Sequence, residues 1–372
     1  MIIYNATIHT PGREPFLGYI NIEENKITEV SEGSPTKIGK NDIDAQQNIV
    51  TPGLIDAHTH LGIEEEIHPE GEDTNEMTSP LTSELFSWDG VNPFDIGFQD
   101  AAQAGITTAM VTMGSANVIG GITCVVKTSQ SVEERLYQKY SGLKMAFGEN
   151  PKRVYKEKHI QTRMKIMSLA RQAFYDAQFY EEQRNKKQVG YSLAHEHVLL
   201  ALHGKIPVRL HVHRADDILQ ALALKDEFQL KMVLEHVTDG VRALQAIKES
   251  GVICAIGPAL VNRAKVEMEN VSFKTASKLA EAGIPVAIIT DHPVTPIQFL
   301  PLCVGLAMKE GLSYEDALSS VTCVPARLLG LEDKLGHIAP GYDADLVLWS
   351  GRPFTLEAYP LKVWINGREN IV

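Results

Sequence analysis

Short apolar runs alternate with helical stretches from Thr51 to about Gly330, which predicts an α/β fold. Eight such runs in that span predict a (β/α)8 TIM barrel. The runs are continuous rather than alternating, as expected of parallel strands covered on both faces. Several end in a histidine or a carboxylate, the arrangement that builds a site at the C-terminal mouth of such a barrel.

Residues 2–8, 18–22 and 26–30 read as short strands separated by polar turns such as Glu23-Glu24-Asn25. Near the other end, 344–349 and 363–365 read as strands, with Pro340-Gly341 and Asn366-Gly367 as turn signals. Residues 1–50 and 337–372 are therefore expected to pair into one small composite β-domain beside a barrel of residues 51–336. The barrel strands are read at 53–56, 107–112, 123–127, 144–147, 208–212, 231–234, 252–256 and 286–289. Helices are read between most of them, at 131–140, 160–185, 215–227 and 241–250. A doubly wound sheet would show the same alternation, but the glycines of 114–121 lack the G-x-G-x-x-G order of its phosphate loop.

With 372 residues, 44% of them hydrophobic and 22% charged, the chain can bury one large core and a smaller satellite. A net charge of -12 argues against nucleic acid or an anionic membrane as partner. No apolar run reaches the ~20 residues needed to span a bilayer. Met1-Ile2-Ile3-Tyr4-Asn5 reads as a strand start rather than a signal peptide. Cys124, Cys254, Cys303 and Cys323 have neither metal-ligand nor disulfide spacing and read as small core residues, which suits a cytoplasmic location.

The strongest local signal is Gly53-Leu54-Ile55-Asp56-Ala57-His58-Thr59-His60, an apolar strand ending in His-x-His. Residues i and i+2 of a strand point to one side, so both imidazoles can meet one metal. Later strand ends repeat the theme with Gly148-Glu149-Asn150, His211 and His213, Glu235-His236, and Asp291-His292. Imidazole with carboxylate suits Zn²⁺, Mn²⁺ or Fe²⁺. Asn117, after the second strand, reads as a turn residue or a holder of a substrate carbonyl. Arg153 and Arg214 read as structural ion pairs or as partners of a substrate carboxylate, and His292 as a support of Asp291 or a substrate contact. Glu64, Glu65, Glu66, His68 and Glu70 form a polar loop read as solvated surface. His9, His159, His195, His197, His203 and His337 read as surface or helix residues.

Together, Thr51-Pro52 running into that histidine strand, Gly105-Ile106-Thr107-Thr108, the histidines of strands five and six, Thr290-Asp291-His292-Pro293 and Ile338-Ala339-Pro340-Gly341-Tyr342-Asp343-Ala344-Asp345-Leu346 resemble the amidohydrolase superfamily of metal-dependent hydrolases. The likeness covers nearly the whole chain and is greater to the imidazolonepropionase-like and deacetylase-like branches than to the urease branch. It implies that the terminal segments form a small β-sandwich. It implies that His58 and His60 hold a first metal, that His213 and His236 hold a second or complete a single site, and that Asp291 binds metal and takes the proton of the attacking water.

Many members bridge two metals with a carboxylated lysine from strand four. Here Glu149 is expected in that role, as a glutamate is in deacetylase-like members. Lys127, near an earlier strand end, and Lys144, at the start of its strand and so far from the mouth, are the competing lysines, and the remaining alternative is no bridge at all. His213 is preferred to His211 because Arg214-Ala215-Asp216 echoes the family's strand-five turn, which leaves His211 to line the pocket. Asp216 stands where imidazolonepropionases and deaminases place a glutamate, which argues against either of those specific activities.

The expected function is metal-activated hydrolysis of a C–N bond in a small-molecule amide or cyclic amide, other than a peptide bond, at a binuclear centre, with zinc as the first choice of metal. Further copies of the chain are the other expected partner. The alternatives are a mononuclear deaminase of a heterocycle and a non-catalytic scaffold; the filled ligand positions argue against the scaffold.

Overall fold

The computed structural model describes residues 1–66, 72–157 and 160–370. His68, Glu70 and His159 lie outside them. The N-terminal segment forms β1 (Ile2–Ile8), β2 (Phe16–Glu23), β3 (Lys26–Glu32), β4 (Ile43–Asp44) and β5 (Ile49–Pro52). The barrel follows as β6 (Leu54–Thr59), β7 (Ile106–Val111), β8 (Ile119–Lys127), β9 (Leu136–Ala146), β10 (Val208–Val212), β11 (Met232–His236), β12 (Ile253–Ile256) and β13 (Val286–Ile288). The chain returns to the first unit as β14 (Leu346–Trp349), β15 (Pro360–Ile365) and β16 (Arg368–Asn370).

The terminal strands hydrogen-bond as one sheet in the order β16-β15-β14-β5-β1-β2-β3, with β4 beside β1. The antiparallel β5–β14 ladder, Pro52 opposite Leu346, joins the two chain ends, so all of β5 belongs to the terminal sheet and the chain passes to the barrel at Gly53. Where a sandwich was expected, the hydrogen bonds trace a single continuous sheet. Its buried side carries Ile3, Ile8, Ile20, Val50, Leu346 and Trp364.

The eight barrel strands are neighbours in chain order. The ring closes where Asp291 N–H donates to His58 O (3.2 Å) and His60 N–H to His292 O (2.8 Å). One expectation fails: β8 runs antiparallel to both β7 and β9. The helix expected over 131–140 is only a turn at Val132–Glu134, followed directly by β9. Ser131 and Glu134 have the S-x-x-E spacing of a helix start, but pairing with β8, Leu136 opposite Val126 and Gln138 opposite Val125, overrides that local preference. The reversal exchanges the places of two lysines. Lys127 ends β8 at the floor of the barrel, and Lys144 lies near the C-terminal end of β9, at the mouth.

Helices such as α1 (Gly97–Gln103), α2 (Glu149–Val154), α3 (Arg163–Asn185), α4 (Leu193–Leu202) and α5 (Ala215–Phe228) wrap the sheet. Phe98, Phe174 and Ile218 pack on the outward residues Val111, Leu143 and Leu210. Inside, Ile55, Ala57, Met110, Val233 and Ala287 form an apolar floor, which Leu328 closes from below. Among the described residues, no helix is long and apolar enough to cross a membrane.

At the floor the Lys127 ammonium is fully buried, 2.5 Å from Asp345 and 3.8 Å from Asp343. It also sits 4.4 Å from the centre of the Tyr137 ring. The aspartates of the Gly341–Leu346 motif thus neutralise a barrel lysine and fasten the terminal sheet to the floor. Removing one partner of a buried pair leaves an uncompensated charge. Asp345→Asn is expected to cost about 3 kcal/mol in denaturant unfolding.

Candidate metal centre

The site begins with an irregularity in β6. Its register against β7 shifts between Asp56 and Thr59. Ile55 and Ala57 face the floor, and past this bulge His58 and His60 face the same interior. The buried Asp56 carboxylate accepts from Thr290 Oγ1 (2.5 Å), Thr290 N (3.2 Å) and His58 N (3.2 Å). Burial pushes this carboxyl up to about 7, against those hydrogen bonds. Asp56 so fastens the first barrel strand to the end of the eighth. Asp291 follows Thr290 with φ +57°, a left-handed residue that turns its side chain into the mouth. Its Oδ1 lies 3.0 Å from His58 Nε2 and 3.3 Å from His60 Nε2.

Facing this trio are His211, His213 and His236, each offering a ring nitrogen within 4.8 Å of the others. The rings of His58 and His236, 5.0 Å apart, join the two sets. The structure therefore gathers His58, His60, His213, His236 and Asp291 in one place. It sets His211 among them as a third imidazole, more than a wall of the pocket.

Backbone oxygens fix how the rings present their lone pairs. His60 Nδ1 lies 2.7 Å from Thr112 O, and His236 Nδ1 lies 2.7 Å from Gly257 O. A carbonyl can only accept, so Nδ1 carries the proton and Nε2 offers its lone pair to the cavity. His213 Nδ1 pairs with Thr238 Oγ1 at 2.7 Å, a hydroxyl that can accept the Nδ1 proton when Nε2 faces the cavity.

Burial, reinforced by the neighbouring imidazoles, pushes His213 down to about 3 and holds His211 and His236 well below the usual histidine range. All three are neutral, the form that ligates a metal. Burial would lower His58 too, but the Glu235 and Asp291 carboxylates on either side outweigh it and push it up. Burial would raise Asp291; the imidazoles around it, His236 foremost and then His58 and His60, outweigh burial and hold its carboxyl well below the usual carboxylate range. A cation is favoured between these carboxylates, and the buried His211 Nε2 has no hydrogen-bond partner. The donor set fits a divalent ion of the zinc, manganese or iron class.

Behind His58 lies a buried charge cluster. Glu235 stands 3.0 Å from His58 Nδ1, 2.8 Å from Arg209 Nε and 2.5 Å from Lys144 Nζ. Burial would raise this carboxyl; the three positive groups hold it well below its usual range. The cavity in front has a volume of about 320 Å³.

The other expected residues lie elsewhere. Glu149 is not among the residues that wall the cavity. Gly148 turns the chain out of β9 with φ +89°, and Glu149 opens α2 with its Oε2 accepting from Glu267 N (3.4 Å). Lys144 is the strand-four side chain that faces the site. Asn117 Nδ2 donates to Glu76 O, Ser79 O and Thr82 Oγ1, which fastens a loop. Arg153 is exposed on α2, outside the cavity wall. Arg214 is engaged by both oxygens of Asp216 (2.9 and 3.0 Å), which also removes Asp216 from the site. His292 is fully buried outside the cavity wall, its Nδ1 accepting from Ile297 N at 3.1 Å, and burial pushes it down to about 4.

The model of the Amidohydrolase family matches residues 49–369, and the chain belongs to that family. An amidohydrolase of known structure from Thermotoga maritima MSB8 has a TM-score of 0.95 and 37% identity to this chain, covering 99% of it and 98% of its own length. Amidohydrolase tasK of Hapsidospora irregularis is 27% identical over 95% of this chain, which spans 40% of that protein's length. Imidazolonepropionase of Psychromonas ingrahamii is 24% identical over 89% of this chain and 87% of its own.

If Thr238 orients His213 for a metal, Thr238→Val weakens that metal about tenfold to a hundredfold, the usual cost of losing such an acceptor. Competition with a chromophoric chelator measures this, and the unfolding midpoint of the metal-free protein should stay near that of the parent.

Proposed function

We propose that the protein is a metal-dependent hydrolase that cleaves a C–N bond in a small amide or cyclic amide. The observation that carries this reading is Asp291, an ionised carboxylate at the meeting point of two imidazole sets inside one small cavity. His58, His60 and Asp291 would hold one ion, and His211, His213 and His236 a second. Such an ion supplies two things when bound: a water whose pKa falls towards ~7, and a polarised carbonyl.

The chain's own residues supply the rest. Asp291 accepts the proton of the attacking water at its carboxylate and returns it to the departing nitrogen. Thr112 O, Gly257 O and Thr238 Oγ1 hold the imidazoles in orientation. Glu235, gripped by Arg209 and Lys144, holds the far side of His58. Lys265, at the cavity wall, offers an ammonium to a substrate carboxylate.

The number of ions is linked to Lys144. With neutral imidazoles, the carboxylates Glu235, Glu267 and Asp291 exceed the buried cations Lys144 and Arg209 by one charge. One divalent ion with a hydroxide balances that excess. Two ions leave the pocket strongly positive unless carboxylation turns Lys144 from cation to anion. The Lys144–Glu235 pair at 2.5 Å favours the ammonium, and so supports a second reading, a single-ion deaminase of a heterocycle.

Elemental analysis with intact-protein mass spectrometry separates the two. Two ions per chain should accompany a lysine heavier by one CO₂, and one ion an unmodified lysine. A panel of N-acyl amino acids, cyclic imides and dipeptides tests the hydrolase directly; ammonia release from heterocycles with no turnover on the panel would select the deaminase. On whichever substrate turns over, Asp291→Asn is expected to stay folded and lose about 10²–10⁴-fold in turnover, the usual yield of general acid–base catalysis. Turnover within a few-fold of the parent in a metal-loaded variant would reject the proton role.

A further inference from the structure

The His211, His213 and His236 set has three imidazoles and no carboxylate of its own. We propose that Glu267, on the loop after β12, completes it as a fourth ligand; this rests on reading those histidines as a metal site. Glu267 lies in the short helical turn Val266–Met268, with a side chain only 1% exposed. Its Oε1 is buried without a hydrogen-bond partner, and so is His211 Nε2. The two atoms are 3.7 Å apart, and Oε1 is 4.0 Å from His213 Nε2.

These separations are too long for hydrogen bonds, yet they suit a shared ion, since donors about 2 Å from one metal stand roughly 3–4 Å from each other. Buried polar atoms are satisfied as a rule, and two orphans facing one another mark the place of a shared partner. The nearest cation, Lys265 Nζ, is 3.9 Å from Oε1 and too far to satisfy it.

The other carboxylate oxygen is anchored. Oε2 accepts the backbone N–H of Glu149 at 2.8 Å. A Cβ on Gly148 would stand 2.7 Å from that oxygen, so the glycine gives the carboxylate its room as well as supplying φ +89°. The Gly148-Glu149 turn thus delivers a glutamate to the site through its backbone, and the glutamate is Glu267.

Cobalt titration of the metal-free full-length protein tests this, followed by visible absorption and by chelator competition. Glu267→Gln keeps the shape and removes the charge. It should weaken the histidine-set ion by about tenfold or more and shift its ligand-field bands. Glu149→Ala should leave both unchanged. Glu267→Asp, which keeps the charge on a shorter arm, should fall between parent and Gln, and serves if Gln does not fold. His211→Ala and His213→Ala should each weaken that ion more than any Glu267 variant.

If the histidine variants lose the ion while Gln and Asp at 267 bind cobalt at parental affinity with unshifted bands, the role of Glu267 is overturned and the histidine site stands. If the histidine variants keep the ion, the metal reading of that set falls, and Glu267 with it.

Discussion

The site depends on one buried carboxylate, Asp56, that is not itself part of it. A barrel brings its strand ends together only if the first strand meets the last. Here Thr290 donates to Asp56 with both its hydroxyl and its amide, and His58 N–H donates to the other carboxylate oxygen. Every donor is neutral, and these hydrogen bonds offset only part of the cost of burial. That cost is offset by what the clamp fixes. His58 follows Asp56 by two residues and Asp291 follows Thr290 by one, so locking one pair places the other.

The second constraint is charge. Glu235 stands behind His58 and is reached by Lys144 from β9 and Arg209 from β10, while Arg209 also donates to Ala57 O of β6 through Nη2 (2.5 Å). Four strands, β6, β9, β10 and the β11 that carries Glu235, are thus tied through one carboxylate. A buried ionic cluster of this kind is weak evidence for stability. It holds the back of the His58 imidazole, and under the function proposed above it sets how much positive charge the cavity takes.

What the sequence made legible follows from periodicity. His-x-His and Asp291 could be read because a strand presents alternate residues to one side and barrel ends converge. His211 was read as the wall and His213 as the ligand, whereas period two puts both in reach, as the structure does. The antiparallel β8 was hidden because residues 131–140 were read as a helix returning the chain to a parallel strand, a local reading overruled by non-local pairing with β8. That misreading placed Lys144 at the wrong end of its strand. Glu149 was chosen for its position, but strand direction and the turn at Gly148 decide which side chain enters, and neither is written in residue type. Glu267 comes from a loop more than a hundred residues away in sequence, and Thr112 O and Gly257 O are backbone atoms with no side-chain signature. Of the terminal sheet, β1, β2, β3, β14 and β15 were legible, while β4, β5 and β16 and the β5–β14 joint were not, because register between distant segments is set by pairing rather than composition.

An anomalous difference map from crystals of the protein loaded with zinc tests the metal site at the barrel mouth. A peak is expected in the cavity about 2.0–2.2 Å from His58 Nε2, His60 Nε2 and an Asp291 oxygen. If a second ion binds, a further peak should lie among His211, His213 and His236. A metal-replete crystal with no peak inside the barrel mouth, or with its zinc only on surface residues, would contradict that metal site.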